Sequence, residues 1–122
     1  MIPLYISSCL FSTVVVHAYY RHVEIYHHMF LLLTMSSILF HTTHNEIIRR
    51  ADKLLAHVAY ILVIMDAPKT VATNTQWLMS FPIIAVCTWF GQSLLPENKE
   101  TLHLCLHLVG AVGMNVYLLV LY

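Results

Sequence analysis

Two pairs of residues carry the chemistry this chain can offer. Ser37 and His41 stand four apart at the end of one apolar run, and His103 and His107 stand four apart near the start of another. Residues at i and i+4 share a helix face and lie about 6 Å apart along its axis. Each pair can therefore point into one pocket. Asp52 opens the apolar run that follows His41, and it reaches the same pocket if its helix returns beside the first. Three neutral imidazoles with one open position are the ligand set of a catalytic zinc. An ion so held polarises a carbonyl oxygen and brings the pKa of a bound water to about 7.

Each feature has a plainer reading when taken alone. With nine histidines in the chain, one His-x-x-x-His pair is unsurprising. Ser37 could pack against a neighbouring helix or bond its own i−4 carbonyl. Asp52 could be an acid favoured in a first helical turn. The combination of order, spacing and shared side gives the set its weight.

The elements that must position these residues follow from charge placement. The 122 residues are 59% hydrophobic and 10% charged, with mean hydropathy +0.73, whereas a soluble domain carries about 25% charged residues. Residues 1–20, 25–45, 54–65, 70–96 and 101–122 contain no Asp, Glu, Lys or Arg. A chain this short cannot bury five apolar helices within itself. It reads as one all-α domain, 1–122, a polytopic transmembrane helix bundle of about five spans near 3–20, 25–44, 51–66, 74–95 and 101–122. The third gap is short and spans if Lys53 and Asp66 sit at the two interfaces.

A loop is expected at about 45–51, a turn at 66–70 with Pro68 ending the third helix, and a kink at Pro82. Thr101 is expected near the last N-cap. Gly110 and Gly113 suit close packing. His17, His27 and His28 read as interfacial, and His57 as a packing histidine. The fourth helix carries no acid, base or histidine and is assigned no chemistry. Cys9, Cys87 and Cys105 read as small buried apolar residues, and the N-terminal run as a retained first span. Net charge is zero, and no basic face points to nucleic acid.

Five alternating spans bring His41, Asp52, His103 and His107 to one interface, within about 10 Å of it. That side also carries Arg49, Arg50, Lys53 and Lys99, against Arg21 and Lys69 on the other. The positive-inside rule then places the N-terminus and the metal site on the cytoplasmic side of a multi-pass protein.

Ser-x-x-x-His at 37–41, Asp52 on the next helix and His-x-x-x-His at 103–107 together resemble the motif set of a membrane zinc hydrolase superfamily. It comprises the alkaline ceramidases, the adiponectin and progestin receptors, and the hemolysin III-like and myomaker-like proteins. The segment 21–24 leading into the second helix is similar to the myomaker-like branch. The resemblance implies zinc held by His41, His103 and His107, and hydrolysis of a lipid amide such as ceramide by zinc-activated water. It implies that Asp52 takes the water proton and passes it to the leaving amine. Ser37 would hold the water or the developing oxyanion.

The family typically has seven spans, against about five here. The missing helices would help wall the lipid cavity, and a homo-oligomer could rebuild that wall. The expected partner is thus a membrane lipid. The alternative is a non-enzymatic metal-binding or receptor-like membrane protein with a structural zinc.

Overall fold

The computed structural model describes residues 4–70 and 73–122, and all regular structure among them is helical. The elements are α1 (Leu4–Ser8), α2 (Phe11–Tyr20), α3 (Glu24–Thr43), α4 (Glu46–Thr70), α5 (Ser80–Leu94) and α6 (Lys99–Leu121), with 3₁₀ turns at Thr73–Met79 and Pro96–Asn98. α1 runs into α2 through tightened bonds: the N–H groups of Cys9, Leu10, Ser12 and Thr13 each donate to the carbonyl three residues back. The Ser12 and Thr13 hydroxyls also donate to the Cys9 and Leu10 carbonyls, a back-bonding that bends helices locally.

Short turns force neighbouring helices antiparallel. His22 takes a left-handed conformation with φ 59°. The Val23 N–H reaches back to the Ala18 carbonyl, and the His22 N–H to that of Tyr19, which is a Schellman ending. His44 repeats the left-handed stop after α3, with φ 53°. Asn45 then caps α4 directly: its Oδ1 accepts from the N–H groups of Ile47 and Ile48. So residues 46–51 are helix rather than the expected loop, because the asparagine satisfies the first free donors. Glu46, in the exposed first turn, accepts from Arg49, and that contact holds its carboxyl below the usual carboxylate range.

Other boundaries also differ from expectation. α4 continues to Thr70, past Pro68; the proline removes one backbone donor without ending the helical path. Pro82 is the third residue of α5, where its missing N–H has no helical partner to lose. In place of the expected mid-helix kink, a 3₁₀ stretch, Thr73–Met79, leads into α5. α6 begins at Lys99, so Thr101 lies within its first turn and not at the cap.

The helices pack as a curved row. α4 lies on α3, α3 on α1 and α2, these on α6, and α6 on α5. α4 and α5 are the two ends of the row, and they face each other across a cavity of about 370 Å³. Near one end of the bundle a ring contact bridges them: His57 meets Trp89 edge-on at 5.5 Å. Gly113 lets α5 approach α6 closely, since a Cβ there would lie 2.9 Å from the Cβ of Phe81.

A mainly apolar core also holds several polar residues, and much of the exterior is apolar. Ser7, Ser8, Thr34, Ser37, Asp52 and His107 are buried, while Leu32, Met35, Leu39, Ile61, Ile83 and Phe90 are exposed. α5 buries none of its residues. Cys9, Cys87 and Cys105 are exposed and form no disulfide among the described residues, not buried as expected; small apolar residues are at home on an outward surface that is itself apolar. By length and composition two helices could cross a membrane, Asn74–Leu94 and Pro96–Leu121, and the segment Ile6–Tyr20 is apolar but shorter. α3 has the length at 20 residues but includes Glu24, His27, His28 and His41.

Candidate metal centre

The end of α3 meets the beginning of α6. The ring of His41 lies 5.1 Å from that of His103 and 5.4 Å from that of His107, and the two α6 rings are 4.6 Å apart. One ring nitrogen from each of the three lies within 4.8 Å of the other two, so the cluster could hold a metal ion. The i,i+4 spacing puts His103 and His107 on one helix face, and the antiparallel return of the chain brings His41 opposite them.

Hydrogen bonding decides which nitrogens face inward. His103 Nδ1–H donates to Gln92 Oε1 on α5 at 3.3 Å. Where that carbonyl oxygen accepts, the proton of His103 is on Nδ1 and its lone pair on Nε2. That Nε2 is buried without a hydrogen-bond partner, as is Nε2 of His41. Buried ring nitrogens with no partner are costly, and converging imidazole lone pairs are what a metal ion satisfies. His107 Nδ1 lies 2.7 Å from the hydroxyl of buried Ser7, and its ring meets the edge of Phe11 at 5.3 Å.

Ser37 and Asp52 line the same cavity as His103 and His107. Ser37 is buried and shares a 2.7 Å hydrogen bond with the hydroxyl of Ser8. Asp52 is buried to 8% exposure and accepts from the Ser36 hydroxyl at 3.0 Å. Because α4 starts at Glu46, Asp52 lies nearly two turns inside the helix, and it is Glu46 that occupies the first turn. The helix-terminus effect fades within one turn. Favourable charge–dipole placement therefore no longer accounts for Asp52.

Away from the centre, His57 Nδ1–H donates to the Lys53 carbonyl and its ring packs on Trp89. His17 bonds Asn115, and His27 donates to the Val15 carbonyl. Four residues that touch the candidate centre were not anticipated from sequence: Ser7, Ser8, Ser36 and Gln92. The signal for Gln92 was its amide inside a charge-free stretch, on the helix to which no chemistry was assigned. For the serines no such signal exists.

From the centre the cavity continues along the bundle between α4, α5 and α6. Its lining runs from Asp52 through Ala56, Val63 and Ala67 on α4. At 1.5 Å per residue that is about 22 Å. Comparison with protein-family models, with curated proteins and with solved structures finds no match for this chain.

Proposed function

We propose that the chain is an integral membrane, zinc-dependent hydrolase-like protein that acts on a lipid amide such as ceramide. The observation that carries this reading is the meeting of three imidazoles, two with buried and unpartnered Nε2 atoms, beside an apolar cavity lined by His103, His107, Ser37 and Asp52. The resemblance of the Ser37, His41, Asp52, His103 and His107 pattern to the membrane zinc hydrolases supplies the reaction class.

The surface supports a bilayer setting. A helix that is apolar all round and unburied belongs in lipid, and α5 has that character. Buried polar side chains such as Ser37, Asp52 and His107 beneath a broadly apolar exterior fit a setting in which lipid replaces water as solvent. On this reading α1 with α2, then α3, α4, α5 and α6 cross the membrane in turn, and the metal centre lies near the cytoplasmic face.

His41, His103 and His107 would hold the ion. Imidazole–zinc bonds of about 2.0–2.1 Å put three ligand nitrogens roughly 3.3 Å apart, so each ring needs to move inward by less than about 1 Å from the observed cluster. When bound, zinc supplies Lewis acidity, polarising a carbonyl oxygen and acidifying a water. Asp52 is the base that accepts the water proton and returns it to the leaving amine. Ser36 steers that carboxylate by its hydrogen bond. Ser37 turns its hydroxyl from Ser8 toward the developing oxyanion. The acyl chain lies in the cavity, whose 22 Å run exceeds the roughly 15 Å of one bilayer leaflet. The cavity's volume is within the usual range for ligand sites, about 300–1,000 Å³.

A second reading, a non-enzymatic metal-binding or receptor-like protein with a structural zinc, is favoured by one observation: the Ser37 hydroxyl is already engaged by Ser8. Release of fatty acid from a ceramide in detergent micelles, compared between the wild type and Asp52→Asn, separates the two. Loss of about 10²–10⁴-fold with zinc retained supports the enzyme. A wild type that holds zinc and hydrolyses neither ceramides nor other lipid amides supports the structural role.

A further inference from the structure

We infer that Gln92 and Ser7 are positioning residues, each holding the Nδ1 proton of one α6 histidine so that the Nε2 lone pairs of His103 and His107 face a common ion. The inference rests on the reading of the cluster as a metal site.

Neutral imidazole has two tautomers, and only a nitrogen without a proton binds metal. An unsupported ring can carry its proton on either nitrogen and can turn a C–H edge toward the site. Gln92 removes both freedoms for His103. Its Oε1 accepts from Nδ1–H, which leaves the buried Nε2 as the donor atom. Ser7 faces Nδ1 of His107, and its hydroxyl accepts when an ion takes the Nε2 lone pair. Its hydroxyl is 2.7 Å from Nδ1 and only 2% exposed, and Phe11 packs against the ring edge. With Nε2 turned toward the cluster, Nδ1 carries the proton and Ser7 accepts it.

The two supports come from opposite sides of α6. α1 delivers Ser7, and α5, otherwise apolar around this point, delivers Gln92. Both α1 and α5 thus take part in the centre although neither supplies a ligand. Such supporting hydrogen bonds fix ring orientation and raise ligand basicity, and their loss typically costs 10–100-fold in metal affinity.

The test uses the full chain, purified in detergent and stripped of metal, titrated with zinc against a fluorescent chelator and with cobalt(II) monitored by its visible absorption. The variants are Gln92→Leu, Gln92→Glu, Ser7→Ala and, as a control, Thr88→Ala, whose hydroxyl donates to the Ile84 carbonyl of its own helix. Gln92→Leu and Ser7→Ala are expected to weaken zinc 10–100-fold and to shift the cobalt bands, with helical circular dichroism unchanged. Gln92→Glu keeps an acceptor at the same reach and should match or exceed the wild type, as should Thr88→Ala match it.

Gln92→Leu and Ser7→Ala within about twofold of a zinc-binding wild type, where a lost support costs 10–100-fold, would overturn the inference. So would a Gln92→Glu as weak as Gln92→Leu. A wild type that takes up neither zinc nor cobalt overturns the metal-site reading itself, and the inference with it.

Discussion

Ser36, and not its neighbour Ser37, donates to Asp52, across 3.0 Å between α3 and α4. The adjacent hydroxyl points the other way, to Ser8 on α1. Consecutive helical positions are 100° apart, so two successive serines serve two different neighbours. One aims the proposed base and the other is held in reserve beside the histidines.

This division predicts different kinetics for two near-identical substitutions. Ser36→Ala should lower turnover about 10–100-fold, the worth of a hydrogen bond to a charged group, by freeing the Asp52 carboxylate. Ser37→Ala should lower turnover by removing an oxyanion contact. Both should keep the metal. Steady-state hydrolysis of a ceramide beside metal content by elemental mass spectrometry checks the pair.

Histidine replacement should sort by position. His107→Ala is expected to lose zinc, whereas His57→Ala should retain it, because His57 bonds the Lys53 carbonyl and packs on Trp89. Zinc per chain after dialysis against a weak chelator reads the difference. Full metal in His107→Ala would remove that residue from the ligand set.

At the opposite end of the bundle, the hydroxyls of Tyr26, Tyr117 and Tyr122 all donate to Asp66 Oδ2, at 2.8, 2.6 and 2.6 Å. These bonds tie α3, α4 and α6 together. Asp66→Ala should cost about 2–4 kcal/mol, since hydrogen bonds to a carboxylate are worth about 1.5–3 each and the phenols partly find other partners. Thermal unfolding in detergent would show a lowered midpoint. Zinc content should be unchanged, because the clasp is remote from the histidines.

Gly113→Ala should loosen α5 against α6. The added methyl would stand 2.9 Å from Phe81 Cβ and 3.0 Å from Cγ, close to the backbone where side-chain rotation gives no relief. Overpacking of this kind costs about 1–3 kcal/mol. A lower unfolding midpoint checks it. Because α5 also carries Gln92, zinc affinity should fall with it, and a stability loss without any change in affinity would argue against that coupling.

Much of the helical layout was legible because charge-free runs and polar turns divide the chain plainly. The convergence of His41 with His103 and His107 was legible too, since i,i+4 spacing and antiparallel alternation suffice to predict it. The boundaries were less so. Asn45 looked like loop and is a cap, which moved the start of α4 back and carried Asp52 inside the helix.

The supporting serines were not legible for a physical reason. In an apolar helix a hydroxyl can return to a carbonyl of its own helix, as those of Ser12, Thr13, Thr34 and Thr88 do. Nothing in the sequence separates these from Ser7 and Ser8, which reach across. Gln92 was different. A primary amide has more hydrogen-bonding groups to satisfy than a hydroxyl, and its position among the apolar residues of α5 was a usable signal. Of the apolar runs, Asn74–Leu94 and Pro96–Leu121 form helices long and apolar enough to cross a membrane.

The most direct measurement is the metal content of the detergent-purified chain, by elemental mass spectrometry, beside the His103→Ala/His107→Ala double variant. The account predicts about one zinc per chain, the complement of one three-histidine site, and its loss in the variant. Absence of zinc from the wild type, or its full retention in the variant, would contradict the account and leave the three histidines as packing residues of a helical bundle.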